Sequence, residues 1–144
     1  MFIGEYQHIL DQKKRVAIPS KFRSKFKRGA VVTRGLDNCL FIYTKSEWES
    51  IASKLGSMPV GERSTRSFVR LMLAGAVDVG LDSQGRVLVP EYLKDYAKLS
   101  KNVVIAGLFN RLEMWDENAW NKYKQSAEKS QDEIAEQLGK LGMY

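Results

Sequence analysis

Apolar positions along this chain change period several times, and each change marks an element. Gly4 to Leu10 alternates as a strand does, and Val16-Ala17-Ile18 is a second apolar run that Pro19 ends, because proline has no N–H to give a ladder. Ser20 to Lys27 predicts a short helix with Phe22 and Phe26 four apart on one face. Ala30 to Thr33 and Leu40 to Tyr43 predict two more strands, joined through the turn-forming Gly35-Leu36-Asp37-Asn38. Thr44-Lys45-Ser46-Glu47 has the form of a capping box and predicts a helix over 45–55 with Trp48, Ile51, Ala52 and Leu55 inward. Residues 4–55 therefore read as a β-β-α-β-β-α unit.

A break at Gly56-Ser57-Met58-Pro59 opens a linker over 56–76. Helical spacing over 61–73 there turns Phe68, Leu71, Met72 and Leu73 inward and stacks Arg63, Arg66 and Arg70 on another face. Residues 77–125 repeat the first pattern: strands at Val77 to Leu81 and Val87 to Val89, a helix from Glu91 to Leu99, then strands at Val103 to Ala106 and Arg111 to Trp115. Asp116 is placed to cap a helix carrying Trp120, Tyr123 and Ala127. In the tail, 126–144, Ser130-Gln131-Asp132-Glu133 looks like another capping box, so the terminal helix is expected to be kinked or doubled, with Ile134, Leu138 and Leu141 forming an apolar stripe.

The repetition is legible residue by residue. Leu10-Asp11-Gln12-Lys13-Lys14-Arg15-Val16-Ala17-Ile18-Pro19 returns 71 positions later as Leu81-Asp82-Ser83-Gln84-Gly85-Arg86-Val87-Leu88-Val89-Pro90. Val31-Val32, Gly35-Leu36, Leu40, Tyr43 and Trp48 are answered 72 positions on by Val103-Val104, Gly107-Leu108, Leu112, Trp115 and Trp120. Two tandem copies in 144 residues, 44% of them hydrophobic, are expected to share one core, giving an α+β single domain (1–144) with two pseudo-equivalent halves.

Charge separates the halves. The chain carries +6, but residues 1–72 hold 14 Lys and Arg against 6 acids, and residues 73–144 hold 9 against 11. Lys13 to Arg28 contains eight basic residues and no acid, a density that favours a polyanion such as nucleic acid over a merely solvated surface. No run approaches the roughly 20 apolar residues of a membrane span, and the first residues lack the features of a signal peptide, so a cytosolic protein with no membrane partner is expected. The single cysteine, Cys39, lies in the apolar run 39–43 and is expected to be an inert core residue.

The remaining chemistry is sparse. With one histidine, His8, expected on a strand surface, and one cysteine, no His/Cys metal set or nucleophile–base pair can be assembled. Gly80 and Gly85 have P-loop spacing, but Arg86 stands for the lysine, Val87 for the Ser/Thr, and a strand follows instead of a helix. Asp78, Asp82, Glu113 and Asp116 are acids enough for a carboxylate metal site, although their spacing requires none. No cofactor, metal or small-molecule substrate is therefore expected.

The repeated Asp-x-x-x-Arg turn is the better candidate. Asp11 and Asp82 can accept turn N–H groups, and Gly85 can take positive φ. Arg15 and Arg86 then have two readings: an internal partner for the aspartate, or a bidentate donor to phosphate or guanine. Beside Lys13 and Lys14 the second reading is favoured for Arg15, and both stay open for Arg86.

These paired turns, the opening Met1-Phe2-x-Gly4, and Trp115-Asp116-Glu117 before Trp120 resemble the bacterial MraZ family, over about residues 1–125. The resemblance implies an AbrB-like, swapped-hairpin β-barrel with flanking helices. It also implies a sequence-specific, DNA-binding transcriptional regulator, usually a repressor of its own division and cell-wall operon. Such a protein would be cytoplasmic, nucleoid-associated and a ring-shaped homo-oligomer, bound to short direct repeats in double-stranded promoter DNA. The family's DNA-contacting turn falls on Lys13, Lys14 and Arg15, with Arg86 as counterpart; Lys14 occupies a position where the family usually has glycine, which leaves open either a strained turn or a changed turn type. The competing expectations are an antitoxin-like interaction scaffold that captures a partner through its C-terminal helix, and a carboxylate-metal nuclease.

Overall fold

A computed structural model describes residues 1–143. Its elements run β1 (Phe2–Ile9), β2 (Arg15–Ala17), a 3-10 helix (Ser20–Phe26), β3 (Ala30–Arg34), β4 (Leu40–Thr44), α1 (Lys45–Gly56), α2 (Arg63–Gly75), β5 (Val77–Val79), β6 (Arg86–Leu88), α3 (Glu91–Tyr96), β7 (Asn102–Phe109), β8 (Arg111–Asp116), α4 (Glu117–Lys129) and α5 (Gln131–Lys140). The fold is α+β, as the alternation of periods predicts. The segment after Pro19 forms a 3-10 run instead of an α-helix, yet it still buries Phe22 and Phe26.

Pairing crosses between the copies. Six strands form one antiparallel sheet in the order β1-β7-β8-β4-β3-β5, and β2 pairs with β6 in a separate two-stranded ribbon. Since β1 to β4 correspond in sequence to β5 to β8, exchanging the copies leaves this order unchanged. The pseudo-two-fold passes through Val16↔Val87 in the ribbon and Phe41↔Glu113 in the sheet, where equivalent positions face one another. No strand of the ribbon pairs with the strand that precedes it in sequence; the hairpins are swapped between copies.

Strand alternation sends neighbouring residues to opposite faces of the sheet. Leu40, Ile42, Leu112 and Met114 join Val16, Val87, Ile18, Val89, Phe26 and Leu93 in the main core between sheet and ribbon. Burying each of these side chains stabilises the fold by about 1.5–3 kcal/mol. Phe41, Tyr43 and Trp115 face the other way, into a second cluster covered by Leu55 of α1, Met72 of α2 and Trp120 of α4. Leu71, expected inward, is exposed, while Phe68, Val69, Met72 and Leu73 of α2 pack on this second cluster.

The caps are as local as the sequence suggests in two cases out of three. The Thr44 hydroxyl accepts from the Glu47 N–H and the Asp116 carboxylate from the Ala119 N–H. Ser130 separates α4 from α5, so the terminal helix is doubled as expected, but its side chain makes no capping bond. Glu5 of β1 accepts from Lys124 Nζ and Trp120 Nε1 and ties α4 to the sheet edge.

Candidate nucleic-acid interface

Each Asp-x-x-x-Arg turn is closed by its own aspartate. Asp11 Oδ1 accepts from the Lys13 N–H (2.8 Å) and the Arg15 N–H (2.9 Å), while Oδ2 accepts from Arg15 Nε (3.1 Å). Asp82 repeats the set with the Gln84 N–H (2.9 Å), the Arg86 N–H (2.9 Å) and Arg86 Nε (2.8 Å). The backbone N–H of the arginine is the largest cause holding each carboxyl below its ordinary aspartate value, followed on the lowering side by the arginine side chain. The local pattern explains the spacing: the carboxylate must reach two N–H groups of its own turn and the guanidinium that follows.

The two turns brace one another through the swap. The Ile18 N–H donates to Gly85 O (2.9 Å) and the Val89 N–H to Lys14 O (2.8 Å), equivalent bonds made in opposite directions. Arg86 Nη1 lies 3.5 Å from Asp11 Oδ2, so the second arginine touches both aspartates. Along the ribbon, Val16 and Val87 point into the core, which leaves Arg15 and Arg86 on its outer face beside exposed Leu88. Both arginines therefore have an internal partner and an outward position; the two readings of these residues are not exclusive.

Lys14 and Gly85 share a backbone conformation, with φ of 61° and 75°. The turn type has not changed, so the lysine accepts the left-handed strain that the glycine avoids. Their surroundings differ. At Gly85 a Cβ would fall 2.3 Å from Arg23 Nε, a group that donates to Ile18 O, so glycine is demanded twice. At Lys14 the crossing helix is α3, and the ammonium pairs with Glu91, whose carboxyl is held below its ordinary value chiefly by that contact. Glu91 is the counterpart of Ser20, so the lysine-for-glycine departure comes with an acid on the opposing copy.

The swap also redistributes charge. The 3-10 helix of the first copy lies against the turn of the second, and together they form a cleft of about 410 Å³ whose lining includes Arg23, Lys27, Arg28, Ser83 and Gly85. The equivalent cleft at the first turn, about 570 Å³, is lined by Asp11, Gln12, Lys14, Lys94 and Lys101. Sequence charge counting assigns the positive field to the first copy, but in three dimensions each turn carries a basic wall. Arg23 belongs to the basic cluster over 13–28 that the sequence marks, whereas Lys94, its equivalent by the 71-residue displacement, is not marked by it; their matching basic character was the available signal.

The family model described as "MraZ protein, putative antitoxin-like" matches twice in tandem, at residues 1–71 and 72–141. The chain is 47% identical over 143 residues to a protein named transcriptional regulator MraZ from Halothermothrix orenii, covering 99% of this chain and 100% of that relative. Like-named proteins from Acetivibrio thermocellus (46% over 143 residues, 99% and 100%) and Caldanaerobacter subterraneus subsp. tengcongensis (44% over 138 residues, 96% of each) are similar along their lengths. The chain belongs to the MraZ family.

Other residues weighed from the sequence lie away from the paired turns of this MraZ chain or serve them indirectly. Cys39 is fully buried, and burial, reinforced by Glu113, pushes its thiol far above the range where a thiolate forms. His8 lies half-buried in β1; burial first, and then Arg23, lower its pKa. The acids considered for a metal have separate partners: Asp78 pairs with Lys45, Asp82 with Arg86, buried Glu113 with Arg111 and Trp115 Nε1, and Asp116 with Ser100 and the α4 N-terminus. Arg66 of the α2 stripe is turned back onto the carbonyls of Val60 and Gly61. Among the described residues, no helix is long and apolar enough to cross a membrane.

Proposed function

We propose that this chain is a sequence-specific transcriptional regulator that binds double-stranded promoter DNA through the outer face of the β2–β6 ribbon and its two flanking turns. The observation that carries this reading is the pair of arginines on the ribbon's outer face, Arg15 and Arg86, each held in place by an aspartate of its own turn. A two-stranded ribbon fits the roughly 12 Å major groove, where an arginine can meet guanine O6 and N7 through two bonds. Lys13, exposed, and Lys14 lie within the same turn and suit the phosphates beside the groove.

One chain offers a ribbon only three residues long, too small a surface for tight specific binding. Several copies in a ring, each meeting one of a series of short direct repeats, would raise affinity through effective concentration. The family membership supports a cytoplasmic, nucleoid-associated repressor of its own division and cell-wall operon, and the names of the relatives support transcription regulation.

A mobility shift on the DNA upstream of the chain's own gene tests this reading. Retarded complexes are expected with a tandem-repeat operator and much weaker ones with a single repeat. Arg15→Ala should lower operator affinity by about 1–3 kcal/mol per repeat while the assembly stays intact by light scattering. A folded Arg15→Ala protein with undiminished operator affinity, or equal affinity for one repeat and several, overturns it.

A further inference from the structure

We propose that the two pseudo-equivalent clefts flanking the ribbon are seats for DNA backbone phosphates, one walled by Arg23, Lys27 and Arg28 and the other by Lys94 and Lys101. The proposal rests on the DNA-binding reading above and extends it to residues outside the Asp-x-x-x-Arg turns. Three observations lead to it. First, the same hollow occurs twice, between the turn of one copy and the helix of the other. Second, both hollows are basic although only Arg23 and Lys94 line the two as equivalents: the first is completed by Lys27 and Arg28, and the second by Lys101. Retention of the charge while its positions differ points to the hollow's field as the functional property. Third, the carboxylates beside the hollows are paired: Asp11 and Asp82 accept from their own turns and arginines, and Glu91 pairs with Lys14.

Geometry gives the clefts complementary tasks. The ribbon is antiparallel, so the turn that precedes β2 and the turn that precedes β6 lie at its opposite ends. A ribbon laid in the major groove has a phosphate backbone along each side, and a cationic hollow at each end meets one backbone. The seats neutralise charge without reading bases, so they should govern overall affinity and its salt dependence while the arginines govern sequence preference. Among the described residues, Arg28 has a single long ion pair, to exposed Glu49 at 4.0 Å, and Lys27 is exposed, so both can reach an anion.

The test uses two full-length variants, Lys27→Gln/Arg28→Gln and Lys94→Gln/Lys101→Gln, with Arg15→Ala as contrast. Affinities for operator and for unrelated duplex DNA are measured across a salt series. Each double variant should bind both DNAs more weakly and make log K against log salt shallower by about 0.9 for each phosphate lost. The ratio of operator to unrelated affinity should stay within about twofold, whereas Arg15→Ala should lower that ratio. Unchanged slopes in both double variants overturn the phosphate seats, even if the wild type still discriminates the operator. If the wild type shows no operator preference but the double variants still lose slope on unrelated DNA, the seats stand and sequence-specific regulation falls. Pyrophosphate separates the remaining source: if it shifts the amide resonances of residues 80–85 in the wild type yet millimolar concentrations do not displace DNA, the hollow is a small-anion site and the DNA seat is overturned. Displacement of DNA by pyrophosphate, weakened in Lys27→Gln/Arg28→Gln, supports it.

Discussion

Lys14 concentrates the local physics of the first turn. Its φ of 61° costs on the order of 1 kcal/mol relative to glycine, and its ammonium is engaged by Glu91. Lys14→Gly removes the strain but loosens the unfolded chain, which offsets part of the gain. The urea midpoint is expected to stay level or rise while DNA affinity falls and the salt slope shrinks by about 1. Glu91→Gln should do the reverse to affinity by releasing the ammonium toward a phosphate; a weaker complex would show that Glu91 helps the turn bind. The aspartates of the turns set a second expectation. Their folded pKa values lie below the unfolded value of about 3.9. Their contribution to stability is therefore complete above that value and is lost as pH falls through the folded one. Asp11→Asn/Asp82→Asn should be less stable than wild type near neutrality and show a flatter decline of urea midpoint below about pH 4; parallel acid limbs would remove the turns from the pH response.

At the scale of elements, those that follow local rules match their predicted places and those that depend on a neighbour shift. Thr44 and Asp116 cap α1 and α4 because a side-chain oxygen and an N–H three residues on need nothing else. The 3-10 run at Ser20–Phe26 and the exposure of Leu71 depend on what each segment meets, which the period of apolar residues does not encode. No residue of α5 is buried, and Ile134 and Leu141 of its stripe and end are exposed. A chain ending at Ser130 should accordingly keep the thermal midpoint of the monomer unit within a few degrees, since surface changes are usually within about 0.5 kcal/mol. A large drop would mean that the tail docks on the core or on another copy, and light scattering of the same protein tells the two apart.

For the whole molecule the swap has the largest consequence. Among the described residues β1 pairs only with β7 and β5 only with β3, and the ribbon needs one strand from each copy. A fragment ending at residue 76 leaves β1 and β2 without ladder partners and opens the core at Val16, Ile18 and Phe26. It should be unfolded by circular dichroism at low concentration and gain structure only as it self-associates. That dimer should be poor, because Arg23 would meet Lys14 of the other copy where it now covers Gly85. A folded, monomeric fragment would refute the dependence of each half on the other.

The sequence alone determined most of what is carried by neighbours in the chain: the strand and helix periods, the caps at Thr44 and Asp116, the breaks, the repeat itself, and the Asp-x-x-x-Arg turn, whose every hydrogen bond within the turn spans at most four residues. From the repeat followed the α+β architecture and the pair of similar surfaces. Tertiary structure decided which copy completes which turn. Lys14 meets Glu91, Gly85 lies under Arg23, Arg86 reaches Asp11, and the basic run of the first half is shared with the neutral turn of the second. Those contacts join residues more than fifty positions apart, and they form because strands seek ladder partners and apolar faces seek a common core; no local pattern states which partner will be nearest.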